Sequence, residues 1–149
     1  MHRFRTEMVV AAPVEKVWAF HADVANLVRV FPTGMRPQLL KLHERFEPGA
    51  EFVLRLGFGY WLGYWHGRIA TVDPPTHFTD EQVSGPFAAF EHEHRFEPLP
   101  DGRTRIVERL DYRLRWGPLG WLANALFFRW HLRTTFGFRR RILARLLES

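Results

Sequence analysis

Hydrophobic and polar residues alternate with period two over most of the chain, and the alternation gives way to helical spacing near the start and at the end. Phe4, Thr6 and Met8 alternate with Arg3, Arg5 and Glu7, which predicts a first strand over residues 2–10, ended by Ala11-Ala12-Pro13. Pro13 stands where a helix begins. Val14, Val17, Trp18 and Phe20 or His21 then form a buried stripe, and Glu15 suits the positive end of the helix dipole. Residues 23–30 read as a second short helix, closed by Phe31-Pro32 and the turn around Gly34.

From Leu39 the period-two pattern returns and predicts strands over 39–46, 51–58, 62–72, 77–83, 87–96 and 103–114. Pro48-Gly49, the Gly57/Gly59 region, Asp73-Pro74-Pro75, Gly85-Pro86 and residues 98–102 supply the turns between them. Connections this short imply an antiparallel meander, because parallel neighbours need long crossovers. Residues 117–149 predict one long terminal helix. Pro118 suits its first turn, no later proline interrupts it, and its length would be ~45 Å. Leu122, Leu126, Trp130, Phe138, Ile142 and Leu146 form its expected apolar stripe, arginines take the polar positions, and Gly137 is a point where it could bend.

The expected fold is therefore α+β: a seven-stranded curved antiparallel sheet wrapped around a long C-terminal helix, with two short helices between the first and second strands. At 149 residues and 46% hydrophobic content the chain suits one domain, residues 1–149, with a sizeable core. Fourteen Phe and six Trp exceed what a minimal core needs, and some of them are expected to line a cavity. The absence of cysteine excludes disulfides, thiolate metal sites and a cysteine nucleophile. The charged start MHRFRTEMVV has no secretory signal pattern, which points to a cytoplasmic protein.

A net charge of +5 raises the question of nucleic acid, but the arginines are scattered, and the run Arg139-Arg140-Arg141 reads as a solvated helix face; nucleic-acid binding ranks last. The longest uncharged run, residues 116–128, is too short for a membrane span, which needs ~20 apolar residues. Transient contact with a membrane surface is compatible with it, and also with the aromatic stretch from Gly57 to Gly63, whose alternative role is ordinary hairpin bending.

The chain resembles the superfamily of START domains, birch-pollen-allergen-like proteins and polyketide cyclase/dehydrase proteins (SRPBCC). The segments AAPVEKVWAF, ANLVRVFP, WHGRIATVDPPTHFTD, GPFAAFEHEHRF and GRTRIVERLDY carry the resemblance, which extends over essentially the whole chain. It implies a helix-grip fold and an internal cavity between sheet and terminal helix that takes a hydrophobic small molecule.

The densest polar stretch is Glu91-His92-Glu93-His94. On a strand, Phe90, His92, His94 and Phe96 share one face, and the phenylalanines mark it as the inner one. In the next strand Ile106, Glu108, Leu110 and Tyr112 face inward, which sets Glu108 opposite His92 or His94 if the register is even. The outer set offers Glu and Arg pairs across the strands. His92, His94, Glu108 and Tyr112 would form a polar end that orients a ligand or moves a proton; the alternative is a buried network that satisfies itself. The two histidines with Glu108 could hold a metal, but further ligands are not apparent, so no metal or cofactor is assigned.

Phe52, Leu54, Trp65, Phe78, Phe90 and Trp130 are the expected apolar contacts, with Gln82 a further candidate. The direction faced by Asp80 and Gln82 stays open. No GxSxG, HExxH or phosphate-loop motif is present. The leading expectation is binding or transport of a lipid, polyketide-like or aromatic molecule. The alternative is a cyclase, dehydratase or isomerase using His92/His94 and Glu108 for proton transfer.

Overall fold

The computed structural model describes residues 1–58 and 61–149, so the expected aromatic tip at 57–63 lies partly outside the described residues. Seven strands form one antiparallel sheet: β1 (His2–Val10), β2 (Gln38–Leu42), β3 (Glu51–Phe58), β4 (Trp61–Asp73), β5 (His77–Ser84), β6 (Phe87–Pro98) and β7 (Thr104–Leu114). Their spatial order is β1-β7-β6-β5-β4-β3-β2, so the meander from β2 to β7 is closed by β1 on its far side. Helix α1 (Val14–Ala22) and a 3-10 helix (Val24–Val30) carry the chain from one sheet edge to the other. Register shifts interrupt the β4/β5 and β6/β7 pairings. Such bulges raise local twist and help a sheet curl.

Two expectations about length need correction. The second strand ends at Leu42 rather than residue 46, after which the chain loops out and returns Phe46 to pack on the core. The second short helix is wound as a 3-10 helix, its start capped by Asp23 accepting from the backbone N–H of Ala25 at 3.1 Å.

The terminal helix departs further from expectation. It consists of α2 (Gly117–Ala123), a π-helical turn (Asn124–Phe128) and α3 (Arg129–Leu147), and α3 passes through Gly137 without a break. The buried positions are Gly120, Asn124, Leu132, Phe136, Arg139, Leu143 and Leu147. Leu122, Leu126 and Trp130 are exposed instead. From Gly120 to Phe136 the buried positions fall on steps of four, wider than the 3.6 of an α-helix, and the π turn supplies the extra residues that keep them on one line. Trp130, expected to contact ligand, thus faces outward. Arg139, expected on a solvated face, lies inside.

The core falls into three clusters. Val10, Val17, Phe78, Phe96, Ile106, Leu143 and Leu147 pack where α1 and the end of α3 meet the sheet. Phe52, Leu54 and Ile69 anchor β3 and β4 beneath the 3-10 helix. Phe87, Leu110, Tyr112, Leu132 and Phe136 form the third, between β6, β7 and the first half of α3. The polar residues described next lie where these clusters meet.

Candidate functional site

The register of β5, β6 and β7 sets Phe78 and Glu108 on either side of His94, and Asp80 and Leu110 on either side of His92. Since strand side chains alternate, the inner face receives Phe78, Asp80, His92, His94 and Glu108 together. Asp80 therefore faces inward, which settles the open question of β5. The outer face carries the expected charge pairs, with Glu93 meeting His77, Arg95 and Arg109 at 3.1, 2.6 and 3.1 Å.

Each imidazole stands between two carboxylates. His94 Nε2 is 2.8 Å from Asp80 Oδ2, within hydrogen-bond reach, and its Nδ1 is 3.6 Å from Glu108 Oε2. His92 Nε2 is 2.9 Å from Glu108 Oε2, and its Nδ1 is 3.9 Å from Asp80 Oδ2. The 2.9 Å contact is close in distance but lacks the alignment of a hydrogen bond. It is an electrostatic contact rather than a directed bond. The two rings lie 3.8 Å apart, and His94 stacks on Phe78 at 4.0 Å with an interplanar angle of 11°.

Two residues outside the expected set complete the centre. Arg139 Nε donates to Glu108 Oε1 at 3.0 Å, both side chains under a tenth exposed. His21 brings a third imidazole, 6.1 Å from His94, with Nδ1 held 2.8 Å from the Val17 carbonyl. Its Nε2 is buried and unpaired. His21 was legible only as one choice on an apolar stripe. Arg139 was obscured by standing in an arginine run.

The charges shift one another. Burial, reinforced by the neighbouring His92, lowers the His94 pKa to about 4, against the opposing pull of Asp80. Burial also lowers His21 to about 3, with Arg139 and His94 adding to it. Burial pushes the Glu108 carboxyl upward, but Arg139 and His92 outweigh it and hold the group well below the usual carboxylate range. Near neutral pH the centre thus holds an ionised Glu108 and two neutral imidazoles, His21 and His94.

The remaining expected residues divide. Phe90 packs edge-on against Trp65 at 4.5 Å beside the centre, while Phe52 and Leu54 belong to the β3/β4 cluster. Gln82 faces inward, but its Nε2 donates to the Phe87 carbonyl at 3.0 Å and its Oε1 accepts from the Phe87 N–H at 3.1 Å. Its amide braces the β5/β6 turn. Tyr112 is buried apart from the histidines, donating to Asn124 Oδ1. Asn124 in turn lies 3.1 Å from His2 Nδ1, so Tyr112 belongs to a second polar node under α2.

The hollow expected between sheet and terminal helix is occupied around the histidines by side chains, among them Phe136, whose ring is 5.9 Å from that of His92. Hollows open elsewhere among the described residues, and two of them are lined by none of His92, His94 and Glu108. One, of about 60 Å³, lies between the 3-10 helix and the loop at 43–46. The other, of about 640 Å³, opens beside Arg113, Arg115, Trp116 and Trp121.

Asp80, His92 and His94 each offer a donor atom within 4.8 Å of the others, a set that could hold a divalent cation. The sequence had suggested Glu108 as the carboxylate; the geometry favours Asp80. Glu108 would then stand behind His92 as the group orienting its ring. To ligate there, His94 would give up its 2.8 Å hydrogen bond with Asp80.

A family model described as "Polyketide cyclase / dehydrase and lipid transport" matches residues 10–134. The chain belongs to this family. It is similar to the granaticin polyketide synthase bifunctional cyclase/dehydratase of Streptomyces violaceoruber, at 32% identity over 115 residues, covering 73% of this chain and 33% of that protein. The chain therefore matches about a third of that relative's length. The fold matches a Chromobacterium violaceum protein with a TM-score of 0.75 at 16% identity, covering 99% and 97% of the two chains. It also matches the Zhui aromatase/cyclase of a Streptomyces species with a TM-score of 0.66 at 20% identity, covering 97% and 95%. These likenesses establish the family's helix-grip architecture for the chain.

Proposed function

We propose that this domain binds a hydrophobic, polyketide-like or lipid molecule between the curved sheet and α3, with its oxygen atoms held by His92, His94 and Glu108. One observation carries the reading. His92 Nε2, His94 Nδ1 and Glu108 Oε2 are buried, lack a directed hydrogen bond, and sit among Phe78, Phe90 and Phe136. A buried polar atom without a directed hydrogen bond costs roughly 1–3 kcal/mol, only partly recovered by the 2.9 Å contact between His92 and Glu108, and a ligand hydroxyl donating to Glu108 or a carbonyl accepting from an imidazole would offset it. Burial of ~300 Å² of apolar ligand surface at ~25 cal/mol per Å² offers ~7 kcal/mol before association costs. Because side chains occupy the space in this conformation, binding requires Phe136 and its neighbours on α3 to move aside.

Calorimetry with a hydroxylated anthraquinone tests this. Saturable binding is expected, weakened more by Phe90→Ala than by His92→Ala, since apolar burial supplies most of the affinity. No heat beyond dilution, or affinity indifferent to both substitutions, would remove the reading.

A second reading, proton-transfer catalysis of cyclase, dehydratase or isomerase type, is favoured by one specific feature. Asp80 stands 2.8 Å from His94 Nε2, placed to orient the ring and to stabilise the imidazolium that would form if His94, neutral at physiological pH, took a proton. The Streptomyces violaceoruber relative is a cyclase/dehydratase. A linear poly-β-ketone thioester mimic should be cyclised or dehydrated by the protein, and His94→Gln should abolish turnover even at concentrations that saturate binding. Turnover that survives both His92→Ala and His94→Gln would exclude it.

A further inference from the structure

The segment from Trp116 to Trp130 displays large apolar side chains on its outer side. Trp116, Leu119, Trp121, Leu126, Phe127 and Trp130 are each between 60% and 77% exposed. A water-facing surface rarely gathers so many, and together they mark a contact site. The inner side of the same segment is fixed. Gly120 packs so closely on the Arg115 carbonyl that a Cβ would collide with it, and buried Asn124 accepts the Tyr112 hydroxyl. The outward aromatics are thus presented by a docked element whose own interior contacts are already made.

Charge indicates what the surface meets. Between Asp111 and Glu148 the chain has eight arginines and no acidic residue. Arg113, Arg115, Arg129 and Arg133 are exposed around the aromatics, and Leu126, Trp130 and Arg133 recur at helical spacing along one face. A second copy of the chain would bring these arginines against each other across an apolar contact, whereas an anionic lipid surface complements them. Tryptophan and phenylalanine beside arginine is also the composition of elements that lie in a bilayer interface.

We infer that residues 116–133 form a docking surface for an anionic lipid bilayer, with Trp121, Phe127 and Trp130 entering the interface and the arginines resting on the headgroups. This rests on the surface alone and does not depend on what the interior binds. No helix among the described residues is long and apolar enough to cross a membrane, so the contact is peripheral.

Sedimentation with vesicles tests it, comparing phosphatidylcholine alone with phosphatidylcholine in which about a third of the lipid is phosphatidylglycerol. The protein should pellet with the anionic vesicles at least about tenfold more strongly than with the neutral ones, and raised salt should release it. Phe127→Glu combined with Trp130→Glu should weaken partition by about tenfold or more, with an unchanged urea unfolding midpoint because both side chains are exposed. Arg129→Glu with Arg133→Glu should remove the preference for anionic lipid. Equal partition into both vesicle types, or none, would overturn the inference. So would a dimer in sedimentation equilibrium that the Phe127/Trp130 variant dissociates, since the surface would then belong to a second copy.

Discussion

Arg139 on α3 donates to Glu108 on β7 at 3.0 Å, tying the helix to the sheet through a buried ion pair. Replacing one partner strands the other charge in the interior. Arg139→Leu should therefore destabilise the protein by roughly 3–5 kcal/mol, and the double variant with Glu108→Leu should recover much of the loss. Urea unfolding of the two single variants and the double variant checks this. Additive losses would mean that the pair does not act as a unit.

Acid should weaken the fold before its carboxylates are protonated. His94 and His21 have folded pKa values of about 4 and about 3, below the unfolded value of ~6.5. Between these limits the unfolded chain binds protons that the folded chain refuses, so stability is full above the unfolded value and falls as pH drops through the window. Going from pH 7 to pH 5 should cost roughly 4 kcal/mol for the two together. Glu108, also depressed, keeps its contribution above ~4.3 and loses it only as pH falls through its folded value. Urea midpoints at the two pH values give the slope, and His21→Phe should reduce it by about one proton.

Two glycines in the terminal segment should respond oppositely to alanine. Gly137 has open space where a Cβ would stand, so Gly137→Ala should stabilise α3 by about 0.5–1 kcal/mol. At Gly120 the Cβ would meet the backbone carbonyl of Arg115, which cannot turn aside as a side chain could, so alanine should cost about 1–3 kcal/mol. Thermal unfolding of both variants measures the contrast.

Gln82 separates turn bracing from ligand contact. Both of its amide atoms are engaged with Phe87, so Gln82→Ala should cost about 1–2 kcal/mol in urea unfolding and leave anthraquinone affinity unchanged. A fall in affinity at unchanged stability would place the side chain in the site after all.

The strands were legible because each buries one face, so that Phe90, His92, His94 and Phe96 in β6, and Ile106, Glu108 and Leu110 in β7, announce their side by alternation. That sufficed to bring Glu108 to His94. The terminal helix misled for two physical reasons. Hydrophobicity was taken as a sign of burial, yet Leu126 and Trp130 face water, and the π turn shifts the phase of everything beyond it. Arg139 could not be distinguished from Arg140 and Arg141 by local pattern, because what buries it is a carboxylate 31 positions away. His21 and Asp80 likewise reach the centre only through the packing of α1 and the pairing of β5.

The placement of β1 beside β7 bears on how the molecule comes into being. His2 pairs with Tyr112 and Val10 with Thr104, while the Ala11 N–H meets Glu148 Oε1 at 3.0 Å. On the ribosome β1 must wait, its edge unsatisfied, until roughly a hundred further residues have emerged. Loop closure over that distance is slow compared with pairing within the β2 to β7 meander. A chaperone that shields residues 2–10 during this interval would act at the point where the nascent chain is most prone to pair with the wrong neighbour.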